Sequence, residues 1–308
     1  MSDRIAVTGA TGLVGRAVVA DLITRHHEVV VLARDPGRAR NAIPGAADYV
    51  AYQQEHVGDW ARSLTSVDAV VNLAGAPLFR PFTGRRYFRK VTRQRVEGTR
   101  HLAAVLRSAA RPPRLLINAS SVGVYGFGPP SDEVVEEDTA PLPGRHAPGS
   151  LAWEAEASQV APSTRVVLLR MGYVLSADGG GLPYQLQQAR NGKAAYFAPG
   201  TQWLPWIHLA DVVNFVAHAL AEEHWRGAYN LVAPQEVRSR QFAETLAGVA
   251  QADPPRPTPA VLARLFVGAG ADIILGGRRV VPARLTQAGY EFIHPDLHGA
   301  VQACAHAG

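Results

Sequence analysis

The sequence is poor in cysteine, lysine and long apolar runs. Cys304 is the only cysteine among 308 residues, which excludes an intrachain disulfide and a metal site built from several cysteines. A membrane-spanning helix needs about 18 or more consecutive apolar residues, and no such run is present, so we expect no membrane partner. The N-terminus, Met1-Ser2-Asp3-Arg4, lacks the apolar segment typical of a secretory signal. We therefore expect a cytoplasmic protein.

The basic charge comes almost entirely from arginine. Only Lys90 and Lys193 are lysines among the 31 basic residues, and the formal net charge is +5. The segment 80–100 concentrates arginines against the single acid Glu97, a pattern that could suit nucleic acid. Because no nucleic-acid motif accompanies it, we favour an exposed helix face near an anionic cofactor.

A glycine-rich stretch, Thr8-Gly9-Ala10-Thr11-Gly12-Leu13-Val14-Gly15, follows the apolar run Ile5-Ala6-Val7. Apolar residues at helical spacing come next, so the pattern predicts a strand, a tight turn and a helix. The first glycine permits the turn, the second lets backbone N–H groups approach a pyrophosphate, and the third lets the helix pack on the strand. The stretch therefore predicts a dinucleotide site on the helix N-terminus.

Apolar runs then alternate with helical patterns along the chain. Such alternation predicts an α/β fold with a doubly wound parallel sheet of the Rossmann type. We assign residues 1–175, with 206–235 returning, to an NADP-binding domain. Residues 176–205 and 236–308 are expected to form a smaller, mostly helical substrate lobe.

The residues after the second predicted strand bear on the choice of cofactor. An acidic residue there would bind the ribose 2′-hydroxyl of NAD, but the first charged residue after Val29-Val30-Val31-Leu32-Ala33 is Arg34, with Arg38 one turn on. A guanidinium pairs well with phosphate, which favours NADPH. Asp35 follows Arg34 directly, so NAD remains the alternative.

Several motifs together resemble an extended short-chain dehydrogenase/reductase of the atypical, epimerase-like group. They are the glycine-rich stretch, Asn72-Leu73-Ala74-Gly75, Ser120-Ser121-Val122-Gly123-Val124-Tyr125-Gly126, Leu169-Arg170-Met171-Gly172-Tyr173-Val174-Leu175, Trp206-Ile207-His208-Leu209-Ala210-Asp211 and the tail Leu275-Gly276-Gly277-Arg278-Arg279-Val280-Val281-Pro282-Ala283-Arg284-Leu285. The likeness covers nearly the whole chain. It implies cofactor contacts at Gly9, Thr11, Gly12, Leu13, Val14, Arg34, Arg38, Asp59, Leu73, Ala74, Gly75, Arg95, Ala119 and Met171.

The chain departs from that group in its proton-handling residues. The group uses a Ser/Thr, Tyr, Lys constellation, but no Tyr-x-x-x-Lys occurs here, because Lys90 and Lys193 lack a tyrosine four residues earlier. By the resemblance, Ser121 falls on the catalytic hydroxyl, and the tyrosine position falls on His146. We predict Ser121 as a donor to a developing oxyanion and consider His146 as a proton donor.

The candidate substrate segments are rich in apolar and aromatic side chains. The predicted contacts are Leu78, Phe79, Tyr125, Tyr184, Tyr196, Trp203 and Trp206. For Tyr125 we prefer packing beside the cofactor to a role as an acid. A pocket of this composition favours a flat, ring-rich substrate over a sugar nucleotide.

We therefore predict an NADPH-dependent ketoreductase acting on a polycyclic aromatic or quinone-like ketone, similar to angucyclinone ketoreductases. One alternative is a sugar-nucleotide epimerase or dehydratase, which would need a proton-handling pair that the sequence does not display. The other is a catalytically inactive NADP-sensing regulator. A monomer and a homodimer are both compatible with the sequence.

Overall fold

The computed structural model describes residues 2–77, 85–142, 147–267 and 271–307. Its strands, in chain order, are β1 (Arg4–Thr8), β2 (Glu28–Ala33), β3 (Asp48–Ala51), β4 (Ala69–Asn72), β5 (Leu115–Ser121), β6 (Val134–Val135), β7 (Arg165–Met171), β8 (Tyr173–Leu175), β9 (Ala195–Phe197), β10 (Trp206–His208), β11 (Gly227–Leu231), β12 (Arg256–Thr258) and β13 (Arg279–Val280).

Helices separate most of these strands. They are α1 (Leu13–Thr24), α2 (Pro36–Ala42), α3 (Trp60–Ser63), α4 (Arg85–Ser108), α5 (Ala147–Ser158), α6 (Leu182–Arg190), α7 (Leu209–Ala221), α8 (Ser239–Val249), α9 (Ala260–Val267), α10 (Ala271–Leu275), α11 (Ala283–Gln287) and α12 (Leu297–Ala307). A 3-10 turn covers Val122–Tyr125.

Seven strands form one parallel sheet in the order β11-β7-β5-β4-β1-β2-β3. This confirms the predicted doubly wound α/β fold. The chain runs outward from β1 in both directions, so the strand order reverses between β1 and β4. In open parallel sheets a ligand binds at the carboxyl edge of the strands at such a reversal.

Both faces of the sheet are covered, as the continuous apolar strands require. On one face, Val18 and Leu22 of α1 and Phe215 of α7 pack against the strands. On the other face, Leu102 and Leu106 of α4 do the same. The sheet is therefore a rigid support for the groups at its carboxyl edge.

The smaller lobe has a hydrophobic core of its own. Its core joins α6, α8 and α12 through buried residues that include Leu186, Phe242 and Val301. The short parallel pair of β6 with β13 joins this lobe to the segment after β5, whereas β9 pairs with β12 inside the lobe and β8 pairs with β10 inside the cofactor domain. None of the described helices has both the length and the apolar character that a membrane crossing requires.

Candidate active site

The turn between β1 and α1 tolerates only glycine at its first position. Gly9 has φ +67°, and a Cβ added there would lie 2.5 Å from the carbonyl oxygen of Leu73. A Cβ on Gly15 would lie 2.2 Å from the oxygen of Gly9. The first glycine therefore lets the turn press against the segment after β4, and the last lets α1 pack on the turn.

No side chain of the described residues caps the N-terminus of α1. Gly12 occupies the N-cap position and offers no side chain to accept from the backbone amides. Thr11 and Gly12 are exposed, while Leu13 and Val14 are half-buried. Unpaired N–H groups and the helix dipole make this end a binding place for an anion, as the sequence predicts for a pyrophosphate.

The residues after β2 have different roles, and the sequence alone did not show which residue has which role. Asp35 is the N-cap of α2, and its Oδ1 accepts from the backbone N–H of Arg38 at 2.9 Å. Arg34 and Arg38 are exposed, and neither forms an ion pair with any residue that the structure describes. The carboxylate thus serves the helix, and the guanidinium groups remain available to a phosphate.

The segment after β4 lies beside the glycine turn at the same edge. The backbone N–H of Leu73 donates to the oxygen of Thr8, and that of Ala74 donates to Thr8 Oγ1 at 3.2 Å. Ala74 is buried, and Gly75 is exposed. Asp59 stands further away, at the start of α3 after β3, and is almost fully exposed.

A buried polar chain that we did not predict fixes the ends of β1, β4 and β5. Thr8 Oγ1 donates to Asn72 Oδ1 at 2.6 Å. The amide of Asn72 then donates to Asn118 Oδ1 at 2.6 Å and to Thr99 Oγ1 at 3.1 Å. Because buried polar groups must be paired, this chain sets the strand register at the cleft. Two asparagines inside otherwise apolar strands were the signal for it in the sequence.

Ser121 ends β5 at the carboxyl edge and is half-buried. It lies opposite Met171 of β7, and Ala119 lies opposite Leu169 in the same register. Ser121 Oγ accepts from the backbone N–H of Gly123 at 3.1 Å. That bond uses a lone pair of the hydroxyl, so its proton can still be donated to a ligand.

Tyr125 is buried in the core, and this corrects its prediction as a substrate contact. Its side chain is 1% exposed, its hydroxyl donates to Asn230 Oδ1 at 2.6 Å, and the hydroxyl accepts from Arg170 at 2.8 Å. Burial raises the pKa of Tyr125 to about 12. In this environment the phenol holds the fold together and is poorly suited to proton transfer.

Arg170 joins Tyr125 to a buried carboxylate on α5. Its Nε and one terminal nitrogen each lie 2.9 Å from an oxygen of Glu154, and Ser120 Oγ donates to Glu154 Oε1 at 2.5 Å. The two charged side chains are 12% and 8% exposed. Such a two-point pair is geometrically rigid, so it fixes α5 against β7, and the Ser120 bond adds a contact with β5.

Trp206 is also buried, contrary to its predicted contact with substrate. It is 1% exposed, and its Nε1 donates to the oxygen of Gln235. Trp203 is half-buried between the guanidinium groups of Arg238 and Arg279, at 4.1 and 5.5 Å from the ring centre.

Two other predicted substrate contacts lie in the smaller lobe. Tyr184 on α6 is 68% exposed, and Tyr196 of β9 is half-buried. The remaining predictions, Leu78, Phe79 and His146, fall outside the described residues.

The motif that begins at Trp206 anchors the C-terminal segment. The carboxylate of Asp211, buried in the first turn of α7, accepts from the backbone N–H groups of Ile293 and His294. The ring centres of His208 and His294 lie 3.9 Å apart with the rings tilted, and His208 Nε2 lies 3.3 Å from Cys304 Sγ. Burial, and then the neighbouring His294, lower the pKa of His208 to about 4. These side chains therefore hold the C-terminal segment against β10 and α7.

Lys90 and Lys193 are both exposed, so neither lysine is withdrawn into the protein. The arginine-rich helix α4 instead turns one arginine inward. Arg95 donates to the oxygen of Ala76 at 2.8 Å, and its guanidinium lies 5.1 Å from the ring centre of Trp153. Its neighbours Arg93 and Arg100 face solvent and pair with Glu97 and Glu156.

Known proteins resemble this chain along its whole length. A model of the NAD dependent epimerase/dehydratase family matches residues 5–231, and one of a domain of unknown function, DUF1731, matches residues 258–304. The human epimerase family protein SDR39U1 is 32% identical over 304 residues, covering 97% of this chain and 98% of that protein. The epimerase family protein Mb2239 of Mycobacterium bovis is 32% identical over 299 residues, covering 96% of each.

Solved structures give the same relationship. The crystal structure of human SDR39U1 (isoform 2) with NADPH matches with a TM-score of 0.85 at 29% identity, covering 98% of this chain and 99% of that chain. The UDP-glucose 4-epimerase of Thermus thermophilus in complex with NAD matches with a TM-score of 0.75 at 19% identity, covering 98% of each chain. The second likeness is one of fold alone.

Proposed function

Since the chain belongs to the NAD dependent epimerase/dehydratase family, we propose that it is an NADPH-dependent ketoreductase that reduces a carbonyl of a polycyclic aromatic or quinone-like substrate. In this it would be similar to the angucyclinone ketoreductases. The observation that carries the proposal is the position of the candidate proton-handling side chains. Ser121 is the hydroxyl at the strand edge, whereas Tyr125 is withdrawn into the core and both lysines are exposed.

The residues present fit an NADP cofactor. Gly9 and Gly15 leave a cradle that a Cβ would fill, and the N-terminus of α1 is uncapped. Arg34 and Arg38 are exposed beside the end of β2, while Asp35 is engaged by α2. The relative crystallised with NADPH supports this assignment. When bound, the reduced nicotinamide supplies a hydride.

This chain's own residues then have to handle the charge that grows on the carbonyl oxygen. Ser121 accepts from Gly123 and can donate its proton to that oxygen. A phenol next to the carbonyl, common in polycyclic aromatic ketones, would add a second donor from the substrate itself. Water can complete the protonation afterwards. The substrate thereby supplies the acid that the protein lacks.

The first experiment is to follow NADPH oxidation with a panel of polycyclic aromatic ketones. We expect turnover, and Ser121→Ala should lower kcat about tenfold to a hundredfold, the range of one oxyanion donor. Ser163→Ala, which removes an exposed hydroxyl bonded to Val160, is the matched control and should retain activity. NADPH binding without turnover of any ketone would favour a cofactor-sensing protein. Turnover of a sugar nucleotide would favour an epimerase.

The contribution of the substrate's phenol can be tested with a chemically modified substrate. Converting the neighbouring phenol to its methyl ether should slow reduction more than Ser121→Ala does, because the internal donor is lost. His146→Ala should cost less than Ser121→Ala. Full activity on the methyl ether together with an inactive His146→Ala variant would instead make the histidine the general acid.

A further inference from the structure

The first half of α4 carries a group of cations that the proposed function does not use. Arg86, Arg89 and Lys90 are exposed, and their charged groups form no ion pair or hydrogen bond with any residue that the structure describes. Residues three and four positions apart share one face of a helix, and like charges at this spacing repel each other. These three side chains, here called the α4 cation stripe, therefore weaken the helix slightly rather than stabilise it.

The α4 cation stripe lies at the carboxyl edge of the sheet. Since α4 follows β4, it begins at that edge, where the glycine turn also lies. Further along α4, Arg95 donates to the oxygen of Ala76, and the N–H of the nearby Ala74 donates to Thr8 directly before the turn. An α-helix rises about 1.5 Å per residue, so the stripe begins about 8 Å and ends about 14 Å along α4 from Arg95.

The amino edge of the same strands carries the opposite charge. An acidic residue begins or directly precedes each of β1, β2, β3 and β4, and these acids are Asp3, Glu28, Asp48 and Asp68. Arg4 and Arg114 each pair with one of them, and the other two acids have no ion pair within the described ranges. Along these four strands, negative charge thus lies at the amino edge and the unpaired cations lie at the carboxyl edge.

A dinucleotide cofactor is a multiply charged anion. Its pyrophosphate is negative, and the 2′-phosphate of NADPH adds about −1.5 to −2 further charges. Charges of one sign beside a cleft raise the local concentration of the opposite ion and can raise an association rate constant by about 10-fold to 1,000-fold. The Debye length is about 30 Å at 0.01 M salt and about 8 Å at physiological ionic strength, so cations at this distance act on an approaching anion before any contact forms.

We infer that the α4 cation stripe steers the anionic cofactor towards the glycine turn and accelerates its association without contacting it in the complex. The inference rests on the proposed NADP cofactor but not on the substrate or on the reaction. It explains why three cations at this edge are left unpaired, because a neighbouring carboxylate would cancel their field. It also gives the arginine-rich segment a role that needs no nucleic acid.

Stopped-flow fluorescence of NADPH binding tests the inference in the absence of any substrate. The triple variant Arg86→Gln, Arg89→Gln, Lys90→Gln should lower the association rate constant about tenfold at 0.01 M salt. The dissociation rate constant should stay within about twofold, because the bound cofactor does not contact the stripe. At 1 M salt the Debye length is about 3 Å, and the parent and variant rates should then agree within about twofold.

A second triple variant is the matched control for net charge. It replaces three exposed arginines that lie next to the opposite edge of the sheet, at the end of α4, before β5 and before β11: Arg107→Gln, Arg111→Gln and Arg226→Gln. The net charge falls by the same amount, but the association rate constant should change less than about twofold. Both variants alter only exposed side chains and should unfold at the temperature of the parent chain within a few degrees.

NADH gives a further arm, because it lacks the 2′-phosphate and is steered less strongly. The stripe variant should slow NADH association about threefold, against about tenfold for NADPH. An unchanged association rate constant, or an equal loss in the control variant, would overturn the inference. A dissociation rate constant raised more than about fivefold would overturn it by making the stripe a direct cofactor contact. Failure of the proposed NADP preference has a different signature, because the parent chain would then bind NADH as tightly as NADPH while the stripe variant still slowed the association of both.

Discussion

Arg170 and Arg95 both turn away from solvent near the carboxyl edge of the sheet, yet only Arg170 has a carboxylate partner. Arg170 meets Glu154 at two points and also donates to Tyr125. Arg95 has a backbone oxygen, the face of Trp153 and an unpaired Nε. The charge of Arg170 is neutralised at two points by Glu154, whereas among the described residues the charge of Arg95 is met only by a backbone oxygen and a ring face. The two arginines therefore differ in how their charge is compensated.

The largest expected effect comes from breaking the paired arginine. Arg170→Met should lower the free energy of unfolding by about 3–5 kcal/mol, because Glu154 would remain buried without a countercharge. Urea denaturation measures this loss. Glu154→Gln together with Arg170→Met removes both charges and should recover part of it. If Arg170→Met proved as stable as Arg95→Met, the distinction between the two sites would fail.

A third arginine, Arg34, extends the distinction to an exposed site. Arg34→Ala should weaken NADPH by about 1.5–3 kcal/mol, because a charge-assisted bond to the 2′-phosphate is lost. It should leave NADH affinity unchanged and alter stability by no more than about 0.5 kcal/mol. Fluorescence titration with both cofactors checks this. Equal affinities of the unaltered protein for NADPH and NADH would contradict the role given to Arg34.

Substitution of the neighbouring Asp35 should change stability rather than cofactor affinity. Asp35→Ala removes the cap of α2 and should cost about 1 kcal/mol of stability, while the affinity for NADH stays the same. Asp35→Asn should retain most of the stability, since asparagine also caps helices. Loss of NADH binding in Asp35→Ala would show instead that the carboxylate serves the ribose.

A further expectation concerns pH and the histidine pair. The pKa of His208 is about 4 in the folded protein against an ordinary value of 6.5, so the unfolded chain binds the proton more readily. Stability should therefore be complete above pH 6.5 and fall as the pH drops from there towards 4. His208→Asn keeps a side chain able to cap α7 and should flatten this dependence in thermal unfolding. An unchanged pH dependence in that variant would assign it to other groups.

Local patterns predicted much of the cleft. The spacing of Gly9, Gly12 and Gly15, the apolar strands and the polar residues that follow them depend on neighbours within a few positions. For this reason the fold class and the place of the glycine turn were predictable, and the structure confirms the fold. The basic residue after β2 was visible in the same way.

Contacts between distant segments could not be predicted from such patterns. Tyr125 and Trp206 were predicted to contact substrate because aromatic side chains suit a ring-rich ligand, but both are buried by segments more than twenty residues away in the chain. The hydrogen-bonded series from Thr8 through Asn72 to Asn118 exists only because β1, β4 and β5 lie side by side.

By itself the sequence determined an α/β chain with a dinucleotide turn, an arginine beside the second strand and no Tyr-x-x-x-Lys, since each of these is a property of residue type and spacing. Only the tertiary structure decided which charges are neutralised. Arg170 follows a run of apolar residues and Arg95 lies in an arginine-rich helix, but neither local pattern shows whether a distant carboxylate will reach the guanidinium. The difference arises because α5 brings Glu154 to one guanidinium and only the ring of Trp153 to the other.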